Sequence, residues 1–290
     1  MSKKYSAILK IIISFGALWL VFTKVDISEI VHVYQDANFL WLVIGFLGYL
    51  ISRIAGSFRL NFFLRDVGIQ LSEVNNLKLY LLGMYYSLFL PGSIGGDGYK
   101  VYWLKQRFSV KVKRLISALL FDRINGLMTI ALLLVILYFF LGLPYGWIGL
   151  ILCPIGLAIA YYLLKYWIKQ FTTIFATTTL ISIGFHIVQI LGIICILKAL
   201  GVGHSYLGYS FLFLVSSIAA AIPFTVGGAG ARELTFLYGA TYLDLADTVA
   251  VAVSLMFYLF SLLVSLSGVY FSLFPKAIPI QPLSATQTTS

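Results

Sequence analysis

Charge is scarce in this sequence. Only 10% of the residues are charged, 61% are hydrophobic, and the mean hydropathy is +0.98. A soluble domain carries roughly 25% charged residues, so the scarcity excludes a water-soluble globule and leaves little room for a separate soluble domain. Acid is the scarcer sign, with 10 Asp and Glu against 20 Lys and Arg and a net charge of +10. The bases cluster between apolar runs, which fits an anionic leaflet of the bilayer and argues against nucleic acid as the partner. Cysteine is nearly absent as well. Cys153 and Cys195 both lie in apolar runs, so no structural disulfide is expected, and with His32, His186 and His204 scattered elsewhere they form no metal set. Enzyme signatures are missing: there is no G-x-S-x-G, no H-E-x-x-H and no Walker sequence. GSIGGDG lacks the strand–turn–helix setting of a dinucleotide fingerprint. No cofactor and no catalytic residue is expected, and an ATP-driven pump within this chain is excluded.

What the sequence does contain is long apolar segments, at roughly 5–23, 38–55, 77–98, 115–141, 147–164, 172–197, 207–228 and 247–273. The first follows Lys3 and Lys4 but lacks a small-x-small cleavage site and is long enough to span, so it reads as a retained anchor. The segment 276–290 after Pro275 reads as a disordered tail.

Two of the segments are interrupted. In LPGSIGGDGYK, Pro91 is followed by Gly92, Gly95, Gly96 and Gly98. Proline and glycine cannot continue a helix cheaply, and broken backbone at membrane depth must be buried in protein or line a watery cavity. The same pattern returns 132 residues later as Pro223, Gly227, Gly228 and Gly230, with Lys100 falling on Arg232 and the apolar span 115–141 on 247–273. A shared proline, spacing, trailing base and following span predict an internal duplication. The repeats are read as residues 1–145 and 146–275.

Loop charge predicts the threading. Arg53, Arg59, Arg65 and Lys78 precede the first break, and Lys100, Lys105, Arg107, Lys111, Lys113 and Arg114 follow it, so both flanks read as cytoplasmic. The regions 24–37 and 231–247 carry most of the acid and read as external. Segment 77–98 is then expected to dip in from the cytoplasm and return, and 207–228 to dip in from outside. Six segments cross, both termini are cytoplasmic, and the second repeat is inverted. The competing topology has all eight segments crossing, which makes the repeats parallel. The predicted fold class is all-α: a polytopic membrane protein of about six spans with two re-entrant broken helices.

Several residues are candidates for a lipid headgroup groove. Helices restarting after Gly98 and Gly230 would offer free amides and a positive dipole end to a phosphate, with Lys100 and Arg232 beside them. Alternatively, the glycines only permit tight turns and close packing. Asp97, which falls on Ala229 in the second repeat, either caps its helix, pairs with a base or carries a proton. Asp122 and Arg123 lie two turns inside a span and, as sequence neighbours, point in different directions; a polar groove and an interfacial anchor are both open to them. Glu233 either neutralises Arg232 or serves as a coupling acid. His186 is either an interhelical hydrogen-bonding group or a proton relay. Arg53, Arg59, Lys105, Arg107, Lys111, Lys113 and Arg114 are expected to form a basic rim at the membrane surface.

LPGSIGGDGYKVYWL, ALLFDRINGL and PFTVGGAGARE, in that order, resemble the membrane region of the lysylphosphatidylglycerol synthase/flippase family (multiple peptide resistance factor). The resemblance covers roughly residues 5–273. It implies movement of aminoacylated phosphatidylglycerol between leaflets in two-domain members that carry a separate synthase domain. This chain ends without that domain, so synthase activity is not carried over. The motif residues carried over are Pro91, Gly95, Gly96, Asp97, Asp122, Arg123, Gly227, Gly228, Gly230, Arg232 and Glu233. The expected function is translocation of an anionic or zwitterionic lipid across the inner membrane. Proton-coupled solute transport, or a non-catalytic subunit assisting a membrane glycosyltransferase or lipid synthase, stand as alternatives, and a homodimer is admitted.

Overall fold

The computed structural model describes residues 19–21, 23, 27–89, 95–163, 165, 166, 169–221 and 229–279. Among them the elements are α1 (Ile27–Gln35), α2 (Phe39–Asp66), α3 (Glu73–Phe89), α4 (Gly95–Lys105), α5 (Val112–Phe140), α6 (Gly146–Leu163), α7 (Phe175–Ala199), α8 (Tyr206–Ala221), α9 (Ala231–Tyr242), α10 (Asp247–Leu266) and α11 (Val269–Leu273), then a 3-10 turn at Pro275–Ala277. The fold is all-α and polytopic. Five helical stretches are long and apolar enough to cross a bilayer: α2, α5, α6, α7 and the stretch Asp247–Leu273. They correspond to five of the six crossings read from hydropathy. The sixth, at 5–23, lies mostly outside the described residues, though Val21 is fully buried in a cluster with Ile30, Leu237, Val251 and Ala252.

The order of elements repeats. Shifted by 132 residues, α2 to α5 fall on α7 to α10, and matched positions do matched work. Leu64 and Ile196, Leu104 and Phe236, and Ala118 and Ala250 are all at most 1% exposed. Even the stop signal recurs. After α2, Gly68 (φ 90°) turns the chain so that its N–H reaches Arg65 O at 3.0 Å and Ile69 N–H reaches Leu64 O at 2.9 Å. After α7, Gly201 (φ 74°) and Val202 do the same to Lys198 O (3.2 Å) and Leu197 O (2.9 Å). Both are Schellman stops, in which a glycine in the left-handed region closes the last turn.

The matched helices α2 and α7 pack on each other along their whole length and run antiparallel. Asn38 N–H donates to Ala199 O at 2.8 Å at one end, and Arg59 bonds Ser182 nearer the other. Between them a Cβ on Gly45 would lie 3.3 Å from Cys195 Cβ and from Gly192 O, so small residues set the close approach of the two backbones.

Each Pro–Gly break separates the limbs of a helical hairpin. On α4, Gly96 faces Gly83 and Ser87 of α3, while Lys100, further on, faces Gly83 and Tyr80. On α9, Gly239 packs on Leu212 of α8 in the same antiparallel sense. The first hairpin runs longer than the predicted dip of 77–98. Its return limb is α4, so Lys100 lies inside the fold and not on a flank. Pro91, Pro223, Gly227 and Gly228 lie outside the described residues.

The loops gather at two ends of the bundle. Phe171 N–H donates to Asp66 Oδ2 (3.2 Å), Lys78 Nζ to Ala277 O (2.8 Å) and Asn75 Nδ2 to Pro279 O (2.8 Å), bringing together an end rich in Lys and Arg. At the opposite end Thr248 donates to Glu29 (2.9 Å) and Tyr34 to Ala252 O (2.6 Å), beside Asp36, Asp244 and Asp247. Residues 276–279, read as the start of a disordered tail, are instead held at the basic end, with Ile278 only 2% exposed. Residues 280–290 lie outside the described residues.

Candidate functional site

The first hairpin assembles a charged cluster inside an apolar wall. A Cβ on Gly96 would sit 2.0 Å from Gly83 O, so only glycine lets the limbs touch there. That contact stacks Tyr99 on Tyr86 (ring centroids 3.7 Å apart) and lays Lys100 Nζ over the Tyr80 ring at 4.9 Å. Asp97, in the first turn of α4, accepts from Lys100 Nζ at 3.0 Å and from Arg123 Nε of α5. Of the alternatives open to Asp97, pairing is the one found. Two cations on one carboxylate leave a net positive charge.

A cavity of about 310 Å³ opens beside this cluster, with Asp97, Gly98 and Arg123 as its polar side and Val101, Ile116 and Leu120 among its apolar walls. Gly98 here is not a packing glycine: a Cβ would meet nothing within 4 Å. Its missing side chain leaves the space open. Gly95 begins the same helix and is half-buried.

Asp122 points elsewhere, as the sequence spacing predicts. It accepts from Arg59 Nε (2.7 Å) and Nη2 (3.2 Å) of α2. Arg59 Nη1 continues to Ser182 Oγ of α7 (2.8 Å), Ser182 donates to Asn125, and Asn125 Nδ2 donates to Thr179 Oγ1 (3.0 Å). His186 bonds Gly126 O through Nε2 at 3.3 Å, an interhelical hydrogen bond. Two site expectations change. Asp122 is a member of a buried ion pair joining α2 and α5, not of the cluster around Asp97. Arg59 is not a rim residue: it is 7% exposed in the interior. The physical reason is that α2 does not end where its hydropathy falls but continues to the Gly68 stop. Arg53 therefore also lies within the helix, half-buried, with its guanidinium carbon 4.4 Å from the Tyr49 ring centroid and 5.0 Å from that of Phe185. Of the other residues expected in the rim, Lys105, Lys111, Lys113 and Arg114 are exposed at the basic end, and Arg107 lies over Trp103 at 4.1 Å.

The second hairpin is built differently. Gly230 (φ 84°) starts α9, and the Glu233 carboxylate caps that helix by accepting from Gly230 N–H at 2.7 Å. It also accepts from Ser254 Oγ at 3.0 Å. Glu233 thus makes no ion pair with Arg232 among the described residues, and its carboxylate is committed to the helix end. Arg232 rests over Phe257 at 5.3 Å. Ser182, Asn125, Thr179 and Tyr49 were not candidates from sequence; short polar side chains in an apolar run carry no signal until a charge is found beside them.

The chain matches, over residues 7–268, the family described as lysylphosphatidylglycerol synthase TM region. No curated protein matches it. The match spans most of the chain, which therefore belongs to this family and is a multi-pass membrane protein.

Proposed function

We propose that this family member moves an anionic or zwitterionic lipid between leaflets, its headgroup passing the hairpin breaks while the tails stay in the bilayer. The observation that carries the reading is the cavity beside Asp97, Lys100 and Arg123, held open by Gly98 within apolar walls. A bare headgroup crosses hydrocarbon slowly because its desolvation is costly. A net positive cluster and the positive dipole end of α4 lower that cost for a phosphate.

The antiparallel match of α2 with α7 supports an inverted repeat, and the two hairpins support re-entrance from opposite faces. With the basic end taken as cytoplasmic, the reading has both termini inside the cell and the protein in the inner membrane. The activity proposed is transport without covalent chemistry.

The test is purified protein in proteoliposomes carrying headgroup-labelled lipids, read by quenching of the outer leaflet. Accelerated exchange that falls in Asp97→Asn is expected. Exchange at the protein-free rate for phosphatidylglycerol, its aminoacylated form, phosphatidylethanolamine and polyprenyl phosphate alike would overturn the reading.

A further inference from the structure

The charged groups of the interior fall into two kinds. Around Asp97 and Asp122 every cation has a carboxylate: Lys100 and Arg123 share Asp97, and Arg59 holds Asp122. Arg53 and Arg232 have none. Neither makes an ion pair or a hydrogen bond among the described residues, and Arg53 Nε is buried with no acceptor. Both rest on aromatic faces, Arg53 on Tyr49 and Phe185, and Arg232 on Phe257.

Those rings bring the two arginines to one place. Tyr49 and Phe257 meet edge to face with centroids 5.2 Å apart, so the guanidiniums flank a single aromatic pair. The one acid near Arg232, Glu233, keeps its charge but gives its oxygens to Gly230 N–H and Ser254, so it offers Arg232 no hydrogen bond. Phe185 stands between Arg53 and the neutralised Arg59, facing both. Two guanidiniums on one aromatic pair inside a membrane protein, with an unused buried donor, describe a place that an anion would fit. Guanidinium forks match phosphate oxygens in pairs, and aromatic faces orient the forks without competing as acceptors.

We propose that Arg53 and Arg232, with Tyr49 and Phe257 as their platform, form a second anion site that takes a phosphate monoester or diester. The site lies between α2, α9 and α10, apart from the Asp97 cavity. It rests on the transport reading in one respect: the phosphate is then that of the lipid in transit, and the site is its second station. The net charge that a headgroup leaves on its phosphate becomes the selected feature, since no free carboxylate is there to pair an amine.

Binding to the full-length protein in detergent tests this, with dihexanoylphosphatidylglycerol, dihexanoylphosphatidylcholine and inorganic phosphate as separate probes in calorimetric titrations. Arg53→Gln and Arg232→Gln are each expected to weaken the phosphatidylglycerol complex about tenfold or more, as loss of a charged hydrogen-bonding partner does. Arg53→Lys and Arg232→Lys, which keep the charge without the fork and guard against misfolding, should bind with intermediate affinity. Lys276→Gln at the exposed basic end should bind as the wild type. Phosphatidylglycerol bound far better than inorganic phosphate identifies a lipid source; equal competition identifies a free phosphate. Unchanged affinity for both probes in the folded Gln variants overturns the site. If those variants also exchange lipid normally, this inference fails and the transport reading survives. If no lipid is exchanged but anion binding depends on both arginines, the transport reading alone fails.

Discussion

Arg59 and Asp122 show what a buried ion pair demands of its surroundings. The guanidinium is satisfied on two sides, by Asp122 and by Ser182, and Gly126 keeps its helix face flat against it, where a Cβ would come within 3.2 Å of Nη1. Breaking such a pair by removing one partner typically costs about 3–5 kcal/mol, because the other charge stays buried alone, whereas replacing both by apolar groups is often neutral. Asp122→Asn is therefore expected to lower the thermal midpoint in detergent sharply, and Arg59→Met with Asp122→Leu to recover most of it. A double variant no more stable than the single would show that the loss is not that of a charge left buried alone. Sequence reading located Asp122 and its divergence from Arg123 but put Arg59 on a surface rim. Its partner lies 63 positions away, and an arginine near the end of an apolar run looks the same whether the helix stops or continues. Gly68 was the signal that it continues.

At the level of the helical elements, the glycines of the first break separate by role. Gly96 is required where the limbs touch, and Gly98 only leaves a space. Gly96→Ala forces a methyl group into Gly83 O; overpacking of this kind typically costs about 1–3 kcal/mol, and a lower melting midpoint together with loss of transport is expected. In Gly98→Leu the Cβ meets nothing within 4 Å, the rest of the side chain enters the cavity, and the change gains roughly 1 kcal/mol of helix propensity. It should leave the midpoint unchanged or raised while abolishing lipid exchange by filling the cavity. A Gly98→Leu protein that transports normally would remove the cavity from the pathway. Both breaks were legible from their proline and glycine spacing, because backbone chemistry is local. The lengths of the limbs were not, since the return limb begins inside the glycine run and its first basic residue, Lys100, mimics a loop.

For the molecule as a whole, the helical skeleton is duplicated but its charges are not. Lys100 matches Arg232, yet Asp97 matches Ala229, Asp122 matches Ser254 and Arg53 matches Phe185. Hydropathy and spacing expose the skeleton, while long-range pairing decides what each charge does, so the fold was readable and much of the site was not. The inverted arrangement has a direct test in a protein freed of Cys153 and Cys195. Single cysteines at Ser72 and Gln106 should label from one side of the membrane, and those at His204 and Ala246 from the other. Labelling of Ser72 and Gln106 from opposite sides would establish that the first hairpin crosses. If the protein carries lipid as proposed, its two antiparallel copies of one scaffold would present nearly the same doorway to each leaflet. A passage of that kind has no preferred sense of travel of its own; any bias must reside in the few places where the copies disagree, and the carboxylate that stands at one threshold and is absent from the other is the first of them.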